Sequence, residues 1–175
     1  VPRLTSLPVP AYYGLRFHDA HPMTRAQTEA GFCGVIPEET DARFLAQHLS
    51  AYAFIRPHVA GKRVLEVGFG SIANLLMMHR LGFCVRGLEV SEDAVERARK
   101  ALRGLGLSEE IPVALHDGGD LPFPNATLDM VIGLQCVYYN LDQPRFVEEC
   151  ARVTRPGGSV IFSFFSPRHA YLRYA

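Results

Sequence analysis

The stretch Arg63-Val64-Leu65-Glu66-Val67-Gly68-Phe69-Gly70-Ser71-Ile72 decides the fold. A short run rich in β-branched residues leads directly into a glycine turn, with an acid two residues ahead of the first glycine. Glycine at positions 68 and 70 lets the backbone take left-handed turns and approach a ligand closely. Glu66 is then delivered near the C-terminal end of a strand, the edge at which open α/β sheets bind their ligands. An acid there suits a cationic group better than a pyrophosphate, which bare amides at a helix N-terminus attract.

Downstream of this turn the pattern alternates. A helix is expected over 71–81, a strand over 84–89, a helix over 92–103 and a strand over 111–116. A strand over 130–134, a helix over 143–153 and a strand over 159–165 follow. Such alternation predicts β-α-β units with right-handed crossovers and a mainly parallel sheet covered on both faces. Ser91 stands ahead of Glu92 and Asp93, so it is expected to cap the second helix while the acids sit at its positive end. Arg97, Arg99, Lys100 and Arg103 load the other half of that helix and read as a solvated face. Leu75, Leu76, Met77, Met78 and Leu81 read as helix packing on the sheet.

Upstream, residues 1–37 carry five prolines and the aromatics Tyr12, Tyr13, Phe17 and Phe32 without a period, and predict an irregular arm with a short helix over 24–30. Over 39–54, Phe44, Leu45, Leu49, Tyr52 and Ala53 recur at helical spacing, and Pro57 ends that helix. Residues 1–58 are therefore expected to form a lid and substrate wall, with 59–175 as the ligand-binding core.

Composition sets outer bounds. The chain has 175 residues, 48% of them hydrophobic, enough to bury one sizeable core. Eighteen basic residues balance eighteen acidic ones, so no global charge attracts nucleic acid or an anionic membrane. No apolar run is long enough to span a bilayer. Cys33, Cys84, Cys136 and Cys150 form no C-x-x-C pair and lie in apolar runs, which predicts buried free thiols and a cytoplasmic protein. His18-Asp19-Ala20-His21 has metal-compatible spacing but no third ligand group nearby, and no metal is assigned.

Two further acids complete the pattern. Gly87-Leu88-Glu89-Val90-Ser91 closes the second strand, where an acid can accept both hydroxyls of a ribose. His116-Asp117-Gly118-Gly119-Asp120-Leu121-Pro122-Phe123 follows the third, where Asp117 can accept from an exocyclic amine and the Gly118 N–H can donate to a ring nitrogen. Three acids at three successive strand ends fit one nucleoside that carries an extra cation.

With these residues in place, the sequence resembles the class I S-adenosylmethionine-dependent methyltransferases, in their small-molecule branch typified by the ubiquinone and sterol-type enzymes. The likeness runs from about Val59 to Pro167. It rests on Val64 to Gly70, Gly87 to Ser91, Asp117 to Phe123, Leu128-Asp129-Met130-Val131 and Arg152-Val153-Thr154-Arg155-Pro156-Gly157-Gly158. The resemblance implies a three-layer Rossmann-like fold, S-adenosylmethionine as cofactor and a small-molecule methyl acceptor. It further implies that Glu66 and the Gly68-Phe69-Gly70 backbone hold the methionine end, and that Glu89 binds the ribose. Val90 is implied to pack on the adenine face, Asp117 and Gly118 to read its edge, and Gln135 to face the methionine moiety or the acceptor. No catalytic base is singled out; His18, His21, Tyr138 and Tyr139 are the candidates.

Two departures stand out. The family carries a third glycine where Ile72 stands, and a branched side chain there is expected to crowd the cofactor or shift the first helix. The family sheet continues with an antiparallel hairpin of two more strands, for which little chain follows the fifth strand. The last two strands are therefore expected to be missing, with the sequence a fragment of a longer chain or the bare fifth-strand edge covered by a partner, such as a second copy, or by the N-terminal arm. Two other functions compete: a methyltransferase-like binding protein without activity, and a nicotinamide or flavin dinucleotide fold, since Gly68-x-Gly70-x-x-Ala73 formally fits its fingerprint.

Overall fold

The computed structural model describes residues 55, 57, 63–137, 140 and 142–164. The expected arm and helices within 1–54, the histidines at 18 and 21, Cys33, and Tyr138 and Tyr139 lie outside the described residues.

The elements alternate as β1 (Arg63–Val67), α1 (Ala73–Arg80), β2 (Cys84–Glu89), α2 (Glu92–Leu105), β3 (Val113–Leu115), β4 (Leu128–Leu134), α3 (Gln143–Val153) and β5 (Thr154–Ser163). The five strands form one sheet in the order β3-β2-β1-β4-β5, and every pairing is parallel. The chain steps outward from β1 through β2 to β3, then returns to the other side of β1. The gap between the C-terminal ends of β1 and β4 is thus the topological switch point, where such sheets bind ligands.

Strand alternation sends side chains to two cores, one on each face. Val64, Val85, Met130 and Ile132 join Leu75 and Met78 of α1 and Val95, Ala98 and Leu102 of α2. Leu65, Val67, Leu88 and Val131 join Phe146, Cys150 and Val153 of α3. Helices on both faces make the three-layer sandwich that the alternation predicts. β4 is buried at every position, as a central parallel strand is.

Local signals act as expected at α2: the Ser91 hydroxyl accepts from the Ala94 N–H at 3.3 Å, and Gly106 closes the helix in the left-handed region at φ 71°. Arg97, Arg99, Lys100 and Arg103 are exposed along it. The Asp142 side chain caps α3 by accepting from the Arg145 N–H at 3.1 Å. No helix among the described residues is long and apolar enough to cross a membrane.

Three expectations shift. The third strand shrinks from 111–116 to Val113–Leu115; Ile111 is buried in the core but outside the ladder. The fifth begins earlier, at Thr154, because its register slips between Thr154 opposite Leu128 and Ser159 opposite Met130. Arg155-Pro156-Gly157-Gly158 bulges out there, with Gly157 at φ 77°, and a side chain at Gly158 would strike the Asp129 carbonyl at 2.6 Å. Of the described cysteines, Cys150 is buried and Cys136 half-buried, but Cys84 is exposed because it opens β2 at the sheet's lower rim.

Candidate functional site

Parallel pairing brings the ends of β1 to β4 to one edge. Glu66 sits opposite Gly87, and Glu89 opposite Leu115, so the two glutamates come from adjacent strands near their C-termini. Beyond Val67 the backbone turns through Gly68 at φ 71° and Gly70 at φ 59°, and the Gly68 N–H donates to the Leu88 carbonyl at 2.8 Å. A Cβ on Gly68 would lie 2.6 Å from Cys136 Cβ, so glycine is required both by φ and by the chain arriving from β4. The Cys136 thiol donates to the Val67 carbonyl at 3.3 Å, pinning the two loops across the switch point. Burial pushes that thiol well above its ordinary range, and the Glu89 and Glu66 carboxylates add to the push.

Glu66 is 1% exposed. Glu89, 6% exposed, accepts three backbone N–H groups: Gly70 on Oε2 at 2.9 Å, and Val90 and Ser91 on Oε1 at 2.8 and 3.1 Å. A carboxylate offers about four acceptor directions, so one remains, on Oε2. The expected double acceptance from a ribose narrows to a single hydroxyl while the Gly70 bond is kept. Phe69 contributes backbone alone, since its side chain is buried against Gly87, where an added Cβ would meet its ring at 2.6 Å. Val90 is 48% exposed, an apolar surface beside Glu89 suited to a flat base.

Ile72 does not strain the turn. Its φ of −73° and ψ of −7° are ordinary right-handed values open to any L-residue, and its side chain packs against the core on the α1 face. The glycine that the resemblance implies at this position is not needed for backbone reasons.

The β3 loop lies further out. Asp117 is 88% exposed, and its Oδ1 accepts from the Gly119 N–H at 2.9 Å. Gly118 has φ 83°, and its carbonyl accepts from Asn140 Nδ2 at 3.0 Å. Glu66 and Glu89 are thus buried near the C-terminal ends of the adjacent strands β1 and β2, whereas Asp117 stands on the rim and faces its own loop. Gln135 ends β4 in the left-handed region at φ 57°, unusual for a non-glycine residue, and its Nε2 donates to Ser163 Oγ at 3.1 Å.

Asn140 and Glu149 with Arg152 were not foreseen. The two arms of Arg152 grip Glu149 at 2.6 and 2.7 Å, the Phe123 and Leu121 carbonyls at 2.9 and 3.0 Å, and Asn125 Oδ1 at 2.7 Å. Glu149 also accepts from the Leu121 N–H at 2.8 Å, and its carboxyl is held down to about 2, first by Arg152. The β3 loop is therefore tied to α3. At the opposite rim, Asp129 accepts from the Arg63 N–H at 2.8 Å and from Arg155 Nε at 2.6 Å. The Asp129 and Arg155 motif positions clamp β1, β4 and the bulge far from the site. Spacing gave a helix for 143–153 but not these contacts, which join residues about 30 apart in the chain.

Among the described residues no group of three His, Cys, Asp or Glu side chains can hold a metal ion. The residues suit an adenosyl sulfonium: a buried carboxylate for a cation, a glycine turn without side chains for close approach, one carboxylate acceptor for a hydroxyl, an apolar face for a base.

A family model described as a methyltransferase domain matches residues 65–162. The phosphatidylethanolamine N-methyltransferase of Cereibacter sphaeroides is 35% identical over 124 residues, 70% of this chain and 56% of that protein. Among solved structures, the 4+2 cyclase SpnF superposes with a TM-score of 0.60 at 28% identity, covering 70% of this chain and 47% of that one. The PH0226 protein of Pyrococcus horikoshii OT3 shares the fold with a TM-score of 0.64 at 20% identity, over 78% of this chain and 61% of that one. The chain spans about half the length of the curated relatives it matches.

Proposed function

Because the chain belongs to the S-adenosylmethionine-dependent methyltransferase family, we propose that it binds S-adenosylmethionine at the β1–β4 switch point and transfers its methyl group to a small-molecule acceptor. The observation that carries the reading is the pairing of a buried Glu66 with the Gly68–Gly70 turn and Glu89 at one strand edge.

When bound, the cofactor supplies an already activated methyl on a positively charged sulfur. The chain's task is then to hold and orient rather than to activate a nucleophile. Glu66 would hold the ammonium end of the methionyl moiety beside the Gly68–Gly70 turn, and the remaining Oε2 direction of Glu89 would take a ribose hydroxyl. Val90 covers one face of the base, while Asp117 and Gly118 meet its edge. Gln135, kept in a strained conformation by Ser163, faces the acceptor side. Residues 1–58 supply the acceptor wall and exclude water, since all the cofactor-binding positions lie downstream of them. Deleting residues 1–30 should leave cofactor binding intact and abolish turnover.

The relative from Cereibacter sphaeroides is named for methylation of an amine, which makes small amines the first acceptors to try. The free thiols among the described residues support a cytoplasmic setting. Among the described residues β5 pairs only with β4, and association of two copies along that edge belongs to this reading, testable by sedimentation.

A second reading is favoured by SpnF, in which this fold carries the name of a cyclase: the scaffold here would bind the cofactor without methyl transfer. Calorimetric titration with S-adenosylhomocysteine and with NAD, followed by incubation of methyl-tritiated S-adenosylmethionine with amine, phenol and thiol acceptors, separates the possibilities. Saturable S-adenosylhomocysteine binding with label transfer is expected. Binding without transfer to any acceptor favours the second reading, and NAD binding alone refutes both.

A further inference from the structure

The Gly118 N–H, the donor that the base-edge reading assigns to an adenine ring nitrogen, is engaged within the chain. It donates to His116 Nδ1 at 3.0 Å. An imidazole nitrogen that accepts must carry no proton, so the hydrogen of this neutral ring lies on Nε2, and Nε2 donates to the Asp120 carbonyl at 3.0 Å. Two hydrogen bonds from opposite sides of the ring thus specify one tautomer and one orientation.

The surroundings show which part can move. The His116 backbone N–H donates to the Glu89 carbonyl at 2.8 Å, extending the β2–β3 ladder by one residue. Asn140 Nδ2 holds the Gly118 carbonyl, Asn140 Oδ1 accepts from the Asp142 N–H at 3.0 Å, and a Cβ on Gly118 would lie 2.5 Å from Asn140 Nδ2. Gly118 is fixed from the β4 side, and the His116 main chain from the β2 side. Only the imidazole, joined by rotatable side-chain bonds, can leave without moving the loop.

We propose that His116 sets cofactor affinity by masking the Gly118 amide with an aromatic nitrogen of the same chemical type as the one the base presents, so that nucleoside binding exchanges one acceptor for the other. The proposal rests on the reading that Gly118 meets the base edge. An amide with one hydrogen makes one good hydrogen bond, so the two acceptors compete. The net yield of that contact on binding is the difference between two similar bonds, and the imidazole has to be displaced to obtain it.

The test uses the full chain at fixed pH, with S-adenosylhomocysteine and its 1-deaza and 7-deaza analogues, in which the ring nitrogens flanking the amine are replaced by carbon. His116→Ala and His116→Phe both remove the competing acceptor, the second while keeping a ring. Each should bind S-adenosylhomocysteine about 2- to 10-fold more tightly, the factor for one net hydrogen bond, and gain nothing for the analogue lacking the relevant nitrogen. Unchanged or weaker binding in folded variants overturns the mask. If the His116 variants bind both deaza analogues as tightly as the parent, the base-edge reading itself fails; if they discriminate but bind the parent no more tightly than the wild-type chain does, only the mask fails. Nitrogen-15 NMR of the wild-type chain covers the case of variants that do not fold. The His116 Nδ1 resonance should move when S-adenosylhomocysteine saturates the protein, and a stationary resonance refutes the exchange.

Discussion

Replacing Glu89 by glutamine tests the site and its internal bonding together. The side chain keeps its length but loses its charge and one of two acceptor oxygens. Turned one way, the amide oxygen keeps the Val90 and Ser91 N–H groups, now at 2.8 and 3.1 Å on Oε1, and points its NH2 at the Gly70 N–H, 2.9 Å from Oε2. Turned the other way it loses two bonds instead of one, so the first orientation prevails. One charge-assisted bond is then lost and two donors face each other in a site 6% exposed, at a cost of roughly 1.5–3 kcal/mol. For a chain of this size that lowers the melting temperature by roughly 3–12 °C. The same turn places NH2 where the one remaining acceptor direction had been, so a ribose hydroxyl loses its partner. Affinity for S-adenosylhomocysteine should fall by about 1–3 kcal/mol, or roughly 5- to 150-fold. Differential scanning calorimetry reads the first effect and titration calorimetry the second. An unaltered melting temperature would contradict the Glu89 to Gly70 tie. A lower melting temperature with unaltered affinity would leave Glu89 a structural brace and remove it from the ligand site.

Three further outcomes are expected. Gly68→Ala places a Cβ at φ 71° and 2.6 Å from Cys136 Cβ, so urea unfolding should show a loss of about 1–3 kcal/mol; a neutral change would mean the turn is not held as described. Asp129→Asn removes the acceptor charge shared by Arg63 and Arg155 at the rim opposite the site. The urea midpoint should fall while S-adenosylhomocysteine affinity holds, and a matching loss of affinity would refute that separation. Glu149, lowered to about 2 from an ordinary 4.5 chiefly by Arg152, takes up its proton later in the folded chain than in the unfolded one. Its contribution to stability is thus complete above about pH 4.5 and lost as pH falls towards 2, and Arg152→Ala should flatten that portion of a urea-midpoint-against-pH curve.

Much of the fold was legible because it is written in local periodicity. Alternating strand and helix patterns gave the order of elements and the parallel sheet, and Ser91 and Gln143 marked the starts of α2 and α3. The ends that moved are those governed by pairing. Ile111 has the apolar character of a strand residue yet meets no ladder partner, and the bulge after Thr154 depends on where β4 lies. Fixed-spacing motifs named Glu66, Gly68, Gly70 and Glu89, but their separate surroundings were invisible. Sequence places the Phe69 backbone in the turn but does not tell that its side chain is core, and Asp117 resembles the other two acids yet stands exposed on the rim.

The sequence by itself determined the layer architecture and which strand ends carry glycines and acids, because both follow from backbone preferences and spacing over a few residues. Tertiary structure decided which donors and acceptors are already engaged. The Gly70 tie to Glu89, the Gly118 bond to His116 and the Asn140 latch depend on loops from different strands meeting at one edge. The ordinary backbone of Ile72 was decided the same way, by a right-handed conformation and a neighbouring core that local pattern does not encode. Hydrogen bonds saturate and space is exclusive, so what remains for a ligand is fixed only when the whole chain has packed.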